Sequence, residues 1–73
     1  MSEQNITSEV TGTVWKVERS EGCKVRAGDV IMVLESMKME IPVESPCDGT
    51  ILKIAVAETD PVEEDQVLVV ISD

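Results

Sequence analysis

An internal repeat is the feature that most restricts how this chain can fold. The segment Gly12–Val17 returns in nearly the same residues as Gly49–Ile54, and this offset of 37 also aligns residues 10–34 with residues 47–71. A repeat of this length usually forms one unit that cannot bury its own apolar face, so the two copies must pack on each other. The sequence therefore predicts a single domain over residues 1–73, with two small facing sheets related by quasi-twofold symmetry.

Each copy is predicted to form a strand, a turn, a short strand and a further strand. The apolar run Val30–Leu34 follows Gly28-Asp29, and a short run of this kind indicates a strand that is buried on both faces. The next run alternates, and its two expected faces are Met39, Ile41 and Val43 against Glu40, Pro42 and Glu44. Residues 1–9 are either a frayed end or a first edge strand.

A helix is the alternative for the middle of the chain. Asp29 could cap it, and its apolar stripe would be Val30, Val33, Leu34, Met37 and Ile41. Dense β-branched residues and Pro42 argue against this helix, because the former favour strands and the latter would interrupt it. The equivalent run in the second copy, Val67–Ile71, has a stronger strand pattern, so the repeat favours a strand in the first copy as well.

The composition restricts the partners and the compartment. Fifteen acidic and six basic residues give a formal net charge of -9, whereas a nucleic-acid-binding protein needs a basic stripe. An acidic surface keeps a small protein soluble, and we expect a monomer. No apolar run approaches the length of a membrane span, and residues 1–10 lack the apolar segment of a signal peptide. We therefore expect a cytoplasmic protein that contacts neither membranes nor nucleic acid.

The residue types also exclude several kinds of catalytic site. The chain has no histidine, and its two cysteines are Cys23 and Cys47. Two thiols cannot supply the four ligands of a structural zinc ion, and neither a Ser-His nor a Cys-His nucleophile pair can be built without histidine. The sequence also lacks a glycine loop that could hold phosphate. We therefore expect no metal site, two reduced thiols and a protein that is not an enzyme.

The hexapeptide Glu35–Glu40 lies between the two predicted strands in the middle of the chain, with Lys38 near its centre. Met37-Lys38 would form the tip of the hairpin, where a two-residue loop normally has Asn-Gly or Asp-Gly because both residues need positive φ. Residue types that do not favour their local backbone conformation are expected at positions where function has selected the residues. The alternative for Lys38 is an ordinary solvated lysine.

Trp15 is the only aromatic residue, and we expect it to be a partly buried packing residue.

The segment Glu35–Glu40 is similar to the Glu-Ala-Met-Lys-Met signature of biotinyl domains in the biotinyl/lipoyl attachment family. The similarity extends over roughly Val10 to Ile71. The turn and core residues that fall at the family's positions are Gly12, Glu21, Gly22, Val25, Gly28, Asp29, Pro46, Gly49 and Val62. Within the family, the chain most resembles the short free-standing biotin/lipoyl attachment proteins. Ser36 stands in place of the signature's alanine.

The resemblance implies a flattened barrel-sandwich, the single hybrid motif, made of two four-stranded antiparallel sheets. It further implies that a biotin protein ligase joins biotin to Lys38 by an amide bond, with Met37, Met39 and Glu35 recognised by the ligase. In that family the attached biotin carries a carboxyl group from a biotin carboxylase to a carboxyltransferase. The chain departs from the family at Val10-Thr11, where Ala-Pro is frequent, and at Thr59 and Asp65, where glycine is common.

Two other functions remain open on the same fold. A lipoyl carrier would have lipoate on Lys38, attached by a lipoate ligase, for acyl or aminomethyl transfer. Glu35 is compatible with this alternative because lipoyl domains place an acid three residues before their lysine, but they resemble Asp-Lys-Ala where this chain has Met37-Lys38-Met39. The second alternative is an unmodified hybrid-motif adaptor of export pumps, which would be accompanied by helical extensions or a membrane anchor.

Overall fold

The computed structural model describes residues 3–73, and in that range it contains eight β-strands and no helix. The strands are β1 (Glu3–Thr7), β2 (Gly12–Val17), β3 (Lys24–Val25), β4 (Val30–Ser36), β5 (Met39–Glu44), β6 (Gly49–Ile54), β7 (Pro61–Val62) and β8 (Val67–Ser72). They form two four-stranded antiparallel sheets, in the orders β1-β8-β6-β3 and β5-β4-β2-β7. The predicted all-β fold of two four-stranded sheets is confirmed, and the helical alternative is wrong.

The first strand pairs with the last, so an edge strand is the correct prediction for residues 3–7, whereas residues 1–2 lie outside the described range. Glu3 pairs with Ser72 at one end of β1 and Thr7 pairs with Val67 at the other. The Nε2 amide of Gln4 also donates a hydrogen bond of 3.2 Å to the Asp73 side chain. The two ends of the described chain are therefore neighbours. None of residues 3–73 forms a helix that could cross a membrane.

The core between the two sheets is built from aliphatic side chains. Its members are Ile6, Val14, Val25, Ile31, Met32, Leu34, Val43, Ile51, Val56, Val62, Leu68, Val69 and Ile71. Each fully buried side chain of this kind contributes about 1.5–3 kcal/mol relative to its exposed state. β-Branched residues predominate because they pack well on a pleated surface, so the core is filled without an aromatic residue.

Two predictions about burial need correction. Strand β4 is not buried on both faces, because Ile31, Met32 and Leu34 are buried but Val33 is only half-buried. A register shift between Val30 and Met32 turns two consecutive side chains into the core, while no further layer formed by residues 3–73 covers the outer face. Trp15 is 50% exposed and is not part of the core or of the residues that pack against it.

Reciprocal hydrogen bonds join the two halves at positions 37 residues apart. The Glu58 carboxylate accepts a 3.0 Å hydrogen bond from the Val17 amide, and the Glu21 carboxylate accepts one of 3.0 Å from the Ile54 amide. Each half thus satisfies the backbone at the end of the other half's strand, β2 or β6. The register shifts in these two strands, at Val14/Lys16 and Ile51/Lys53, show the same offset.

Four turn residues with left-handed backbone conformations form two pairs, and the members of each pair lie 37 positions apart. Gly22 and Gly28 have φ of 89° and 92°, while Thr59 and Asp65 have φ of 75° and 71°. The Gly22 and Thr59 amides each donate a 2.8 Å hydrogen bond across the halves, to the carbonyls of Ile51 and Val14. The turns therefore keep the conformation that suits glycine even where threonine or aspartate is present, at a cost of about 1–2 kcal/mol per residue.

Gly12 and Gly49 are required for a different reason. A Cβ on Gly12 would overlap the backbone oxygen of Glu35, and a Cβ on Gly49 would overlap the backbone oxygen of Ser72. At both positions the strand passes too close to a neighbouring carbonyl for any side chain, and φ is not positive. Close approach of two backbones accounts for both glycines.

We predict that Gly49→Ala lowers the free energy of unfolding by about 2 kcal/mol, in the range typical of overpacking. The added methyl group would overlap the Ser72 carbonyl and lie 2.8 Å from Cγ2 of Ile71. Gly22→Ala is the comparison, because Gly22 has positive φ but nothing within 4 Å; its expected loss is about 1 kcal/mol, the cost of placing an alanine in the left-handed conformation. Urea unfolding measures both variants. A loss for Gly49→Ala no larger than that for Gly22→Ala would contradict the larger cost expected from the overlap with the Ser72 carbonyl.

Candidate functional site

The candidate site is the tip of the hairpin that joins β4 to β5. Glu35 pairs with Glu40 and Ser36 pairs with Met39, which leaves Met37 and Lys38 as a two-residue turn. Their φ values are 53° and 64°, which is the left-handed conformation that two-residue hairpin loops require. The predicted hairpin is therefore confirmed. Neither residue is glycine, so the turn is strained by its own sequence.

The tip residues extend into solvent. Met37 is 92% exposed and Met39 is 63% exposed, and Lys38 between them is also exposed. No ion pair joins the Lys38 ammonium to any residue in 3–73. The amine can therefore be approached freely, and the two flexible thioether side chains beside it can adapt to an opposing surface.

Hydrogen bonds at the base of the tip hold it against two neighbouring loops. The Ser36 hydroxyl donates a 2.9 Å hydrogen bond to the Thr11 carbonyl. The Thr11 hydroxyl in turn accepts a 3.3 Å hydrogen bond from the Glu64 amide, and Gly12 lies against the Glu35 carbonyl. Ser36 and Thr11 thus hold the tip in place. Sequence reasoning missed both roles, because residues 25 positions apart leave no local signal of contact.

Glu35 and Glu40 face each other directly across β4 and β5, one pair below the tip. Both are exposed. Like charges in directly opposite positions destabilise a strand pair, and the Lys38 ammonium is the nearest positive charge along the hairpin. The structure therefore brings Glu35 together with Met37, Lys38 and Met39 in one hairpin, as the sequence predicts, and adds Glu40 as an acidic partner.

The cysteines lie outside this hairpin. Both Cys23 and Cys47 are free thiols and partly buried. Hydrogen bonds from the Ser20 hydroxyl and backbone lower the pKa of the Cys23 thiol; partial burial opposes this effect, and the Arg19 charge adds to it. In residues 3–73 no group of three or more potential ligands could hold a metal ion.

Comparisons with known proteins agree with this geometry. A family model described as Biotin-requiring enzyme matches residues 2–71. A biotinylated protein TB7.3 homolog from Mycobacterium leprae is 38% identical over 69 residues, which cover 94% of this chain and 97% of that protein. The biotin/lipoyl attachment protein of Bacillus subtilis is 34% identical over 67 residues, or 92% of each chain. Pyruvate carboxylase from Bacillus subtilis is 39% identical over 64 residues, which cover 88% of this chain but only 6% of that enzyme.

Solved structures give the same result. The Kluyveromyces lactis urea carboxylase superposes with a TM-score of 0.92 and 33% identity, over 99% of this chain and 6% of that one. The lipoyl domain of the Azotobacter vinelandii 2-oxoglutarate dehydrogenase complex gives a TM-score of 0.76 and 26% identity, over 88% of this chain and 81% of that domain. Because the family model covers nearly the whole sequence, this chain belongs to the biotin/lipoyl family of domains found in biotin-requiring enzymes.

Proposed function

We propose that this chain is a biotin carrier in which a biotin protein ligase acylates the Nζ atom of Lys38. The observation that carries the proposal is the tip itself, where an exposed amine with no ion pair to any of residues 3–73 lies between two exposed methionines on a strained two-residue turn. A turn that needs only to reverse the chain would use Asn-Gly. The membership of the family supports the choice of biotin as the attached group.

The chain's own residues supply presentation, and the ligase supplies activation. Amide formation requires the Nζ atom to lose a proton, which the ligase must accept as the Nζ lone pair attacks the activated carboxyl carbon of biotin. The new amide bond replaces the bond to the activating group, and Lys38 loses its positive charge. Met37, Met39 and Glu35 provide the apolar and acidic contacts at the tip. The domain itself is not catalytic.

The modified Lys38 side chain would act as a tether for biotin, and this tether explains how so small a domain can serve two enzymes. Attached biotin supplies the carboxyl-carrying chemistry, and the protein keeps it at an effective concentration on the order of millimolar near each enzyme that it visits. A biotin carboxylase and a carboxyltransferase are the proposed partners, by analogy with carboxylases of which this chain matches 6% of the length. We place the working carrier in the cytoplasm as a monomer, in keeping with its acidic surface.

Lipoylation is the second candidate function, because a lipoyl domain shares the fold and Glu35 lies three residues before Lys38. We predict at most a minor yield of lipoylated protein. Separate incubations of the unmodified protein with lipoate ligase and with biotin protein ligase, each with its acid and ATP, measure the two yields by mass. No lipoyl product under conditions that complete biotinylation would end the lipoyl candidate.

The direct test of the attachment site is the intact mass of the protein from its own cells. We predict a biotin-sized increase that fragmentation places on Lys38 and that Lys38→Arg abolishes. Lys53→Arg is the matched control, since Lys53 is likewise exposed but lies on a strand and not at the hairpin tip, and it should leave the increase unchanged. A biotinylated Lys38→Arg protein, or an unmodified wild-type protein in cells with active ligase, would contradict the proposal.

The strain in the turn gives a separate prediction. The double substitution Met37→Asn with Lys38→Gly should raise the free energy of unfolding by about 1–2 kcal/mol, because these residues accept the left-handed conformation readily, and it should abolish biotinylation. Urea unfolding measures the first effect and the mass of ligase-treated protein measures the second. A loss of stability would show that the native tip is not strained.

A further inference from the structure

The outer face of the sheet that bears the tip carries an apolar strip. We define the outer strip as Trp15, Val33 and Pro42, which follow one another across β2, β4 and β5. Val33 pairs with Lys16 on one side and with Pro42 on the other, and Trp15 is the extra residue at the register shift beside Lys16. Trp15 is 50% exposed, Pro42 is exposed and Val33 is half-buried.

The repeat provides an internal control for these residues. At the equivalent positions the other sheet has Leu52, Val70 and Asn5, and Val70 pairs with both Lys53 and Asn5. The fold therefore accepts leucine and asparagine at positions where the outer strip has tryptophan and proline. Packing does not require an indole at position 15. A half-exposed tryptophan is typical of a contact with another protein, where tryptophan is enriched.

The charges beside the outer strip indicate the chemistry of that protein. The next row toward the tip contains Glu35 and Glu40 in directly opposite positions, and no ion pair joins either carboxylate to a residue in 3–73. An arginine from a partner would relieve the repulsion between them. Arginine also stacks favourably on an indole ring. The face therefore suits an apolar surface with arginine at its edge.

The reach of the lysine indicates which partner covers this face. The lysine stem extends only about 6 Å from its Cα, so an enzyme that acts on the Nζ atom itself must enclose the tip. Val33 lies three residues before Ser36, or about 10 Å along β4. A surface that encloses the tip and follows the hairpin downward meets the outer strip. Enzymes that act on the far end of a biotinyl arm have no such requirement.

We propose that the outer strip, together with Glu35 and Glu40, is the docking surface for the biotin protein ligase. This inference rests on the proposed function and extends it from the tip to residues that are distant in sequence. Trp15 contacts an apolar surface of the ligase, and an arginine of the ligase lies between the two carboxylates. The ligase thereby distinguishes Lys38 from other exposed lysines by the face below the tip as well as by the tip.

Ligase kinetics test the proposal. The variant Trp15→Leu with Pro42→Asn gives the outer strip the residues that the other sheet tolerates, so it should fold normally, as urea unfolding will show. Its KM as ligase substrate should rise about 10-fold, the loss typical of removing an interface tryptophan, with kcat changed less than 2-fold. Leu52→Ala on the opposite sheet is the control and should leave KM unchanged. Glu40→Gln should raise KM several-fold in low salt and much less in high salt.

Binding without turnover is measured by NMR on labelled Lys38→Arg protein titrated with the ligase. Trp15 is the only tryptophan, so its indole N–H gives one isolated signal that should shift or broaden together with the amide of Val33, while the amides of Leu52 and Val70 stay unchanged. Changes confined to residues 36–39, or an unchanged KM for a variant still biotinylated on Lys38, would overturn the docking surface alone. Failure of the ligase to biotinylate the wild-type protein would overturn the proposed function itself.

Discussion

The apolar faces of the two sheets exclude water from each other, and the position of every strand depends on that contact. Neither half could bury its valine, isoleucine and leucine side chains alone, because each half contributes two strands to one sheet and its two-residue strand, β3 or β7, to the other. The carboxylates of Glu21 and Glu58 complete the arrangement by bonding to the backbone of the opposite half. The hairpin of β4 and β5 is held by this shared core, so its tip can be strained without loss of the fold.

The sequence was a good guide wherever the repeat supplied two versions of one element. The strand pattern of Val67–Ile71 resolved the ambiguity between helix and strand for the equivalent run Val30–Leu34. Met37-Lys38 indicated the candidate site because these residue types are unusual in a two-residue hairpin loop. Burial was predicted less well. An apolar run does not reveal whether another layer covers it, which is why Val33 was expected inside, and the position of Trp15 depends on a register shift that has no signature in the sequence.

At two turns, tertiary hydrogen bonds override the preference of the residues for negative φ. Thr59 and Asp65 take positive φ although their side chains disfavour it, because their amides must reach the carbonyls of Val14 and Ser8. Tertiary hydrogen bonds therefore determine these turns. At Met37 and Lys38 the two-residue hairpin loop itself requires positive φ, and the proposed attachment of biotin to Lys38 accounts for residue types that do not favour this conformation. Positive φ thus has different causes at the two kinds of site.

The pairing of β1 with β8 has an evolutionary consequence. Since Glu3 lies opposite Ser72, the two ends of the described chain are adjacent, whereas loop 63–66, which contacts the base of the tip through Thr11, lies at the other end of those strands. A module with this geometry can be inserted into a longer polypeptide through two adjacent junctions while Lys38 stays at the far end from the host. Segments similar to this chain make up 6% of the Bacillus subtilis pyruvate carboxylase and 6% of the Kluyveromyces lactis urea carboxylase, an arrangement that adjacent junctions permit.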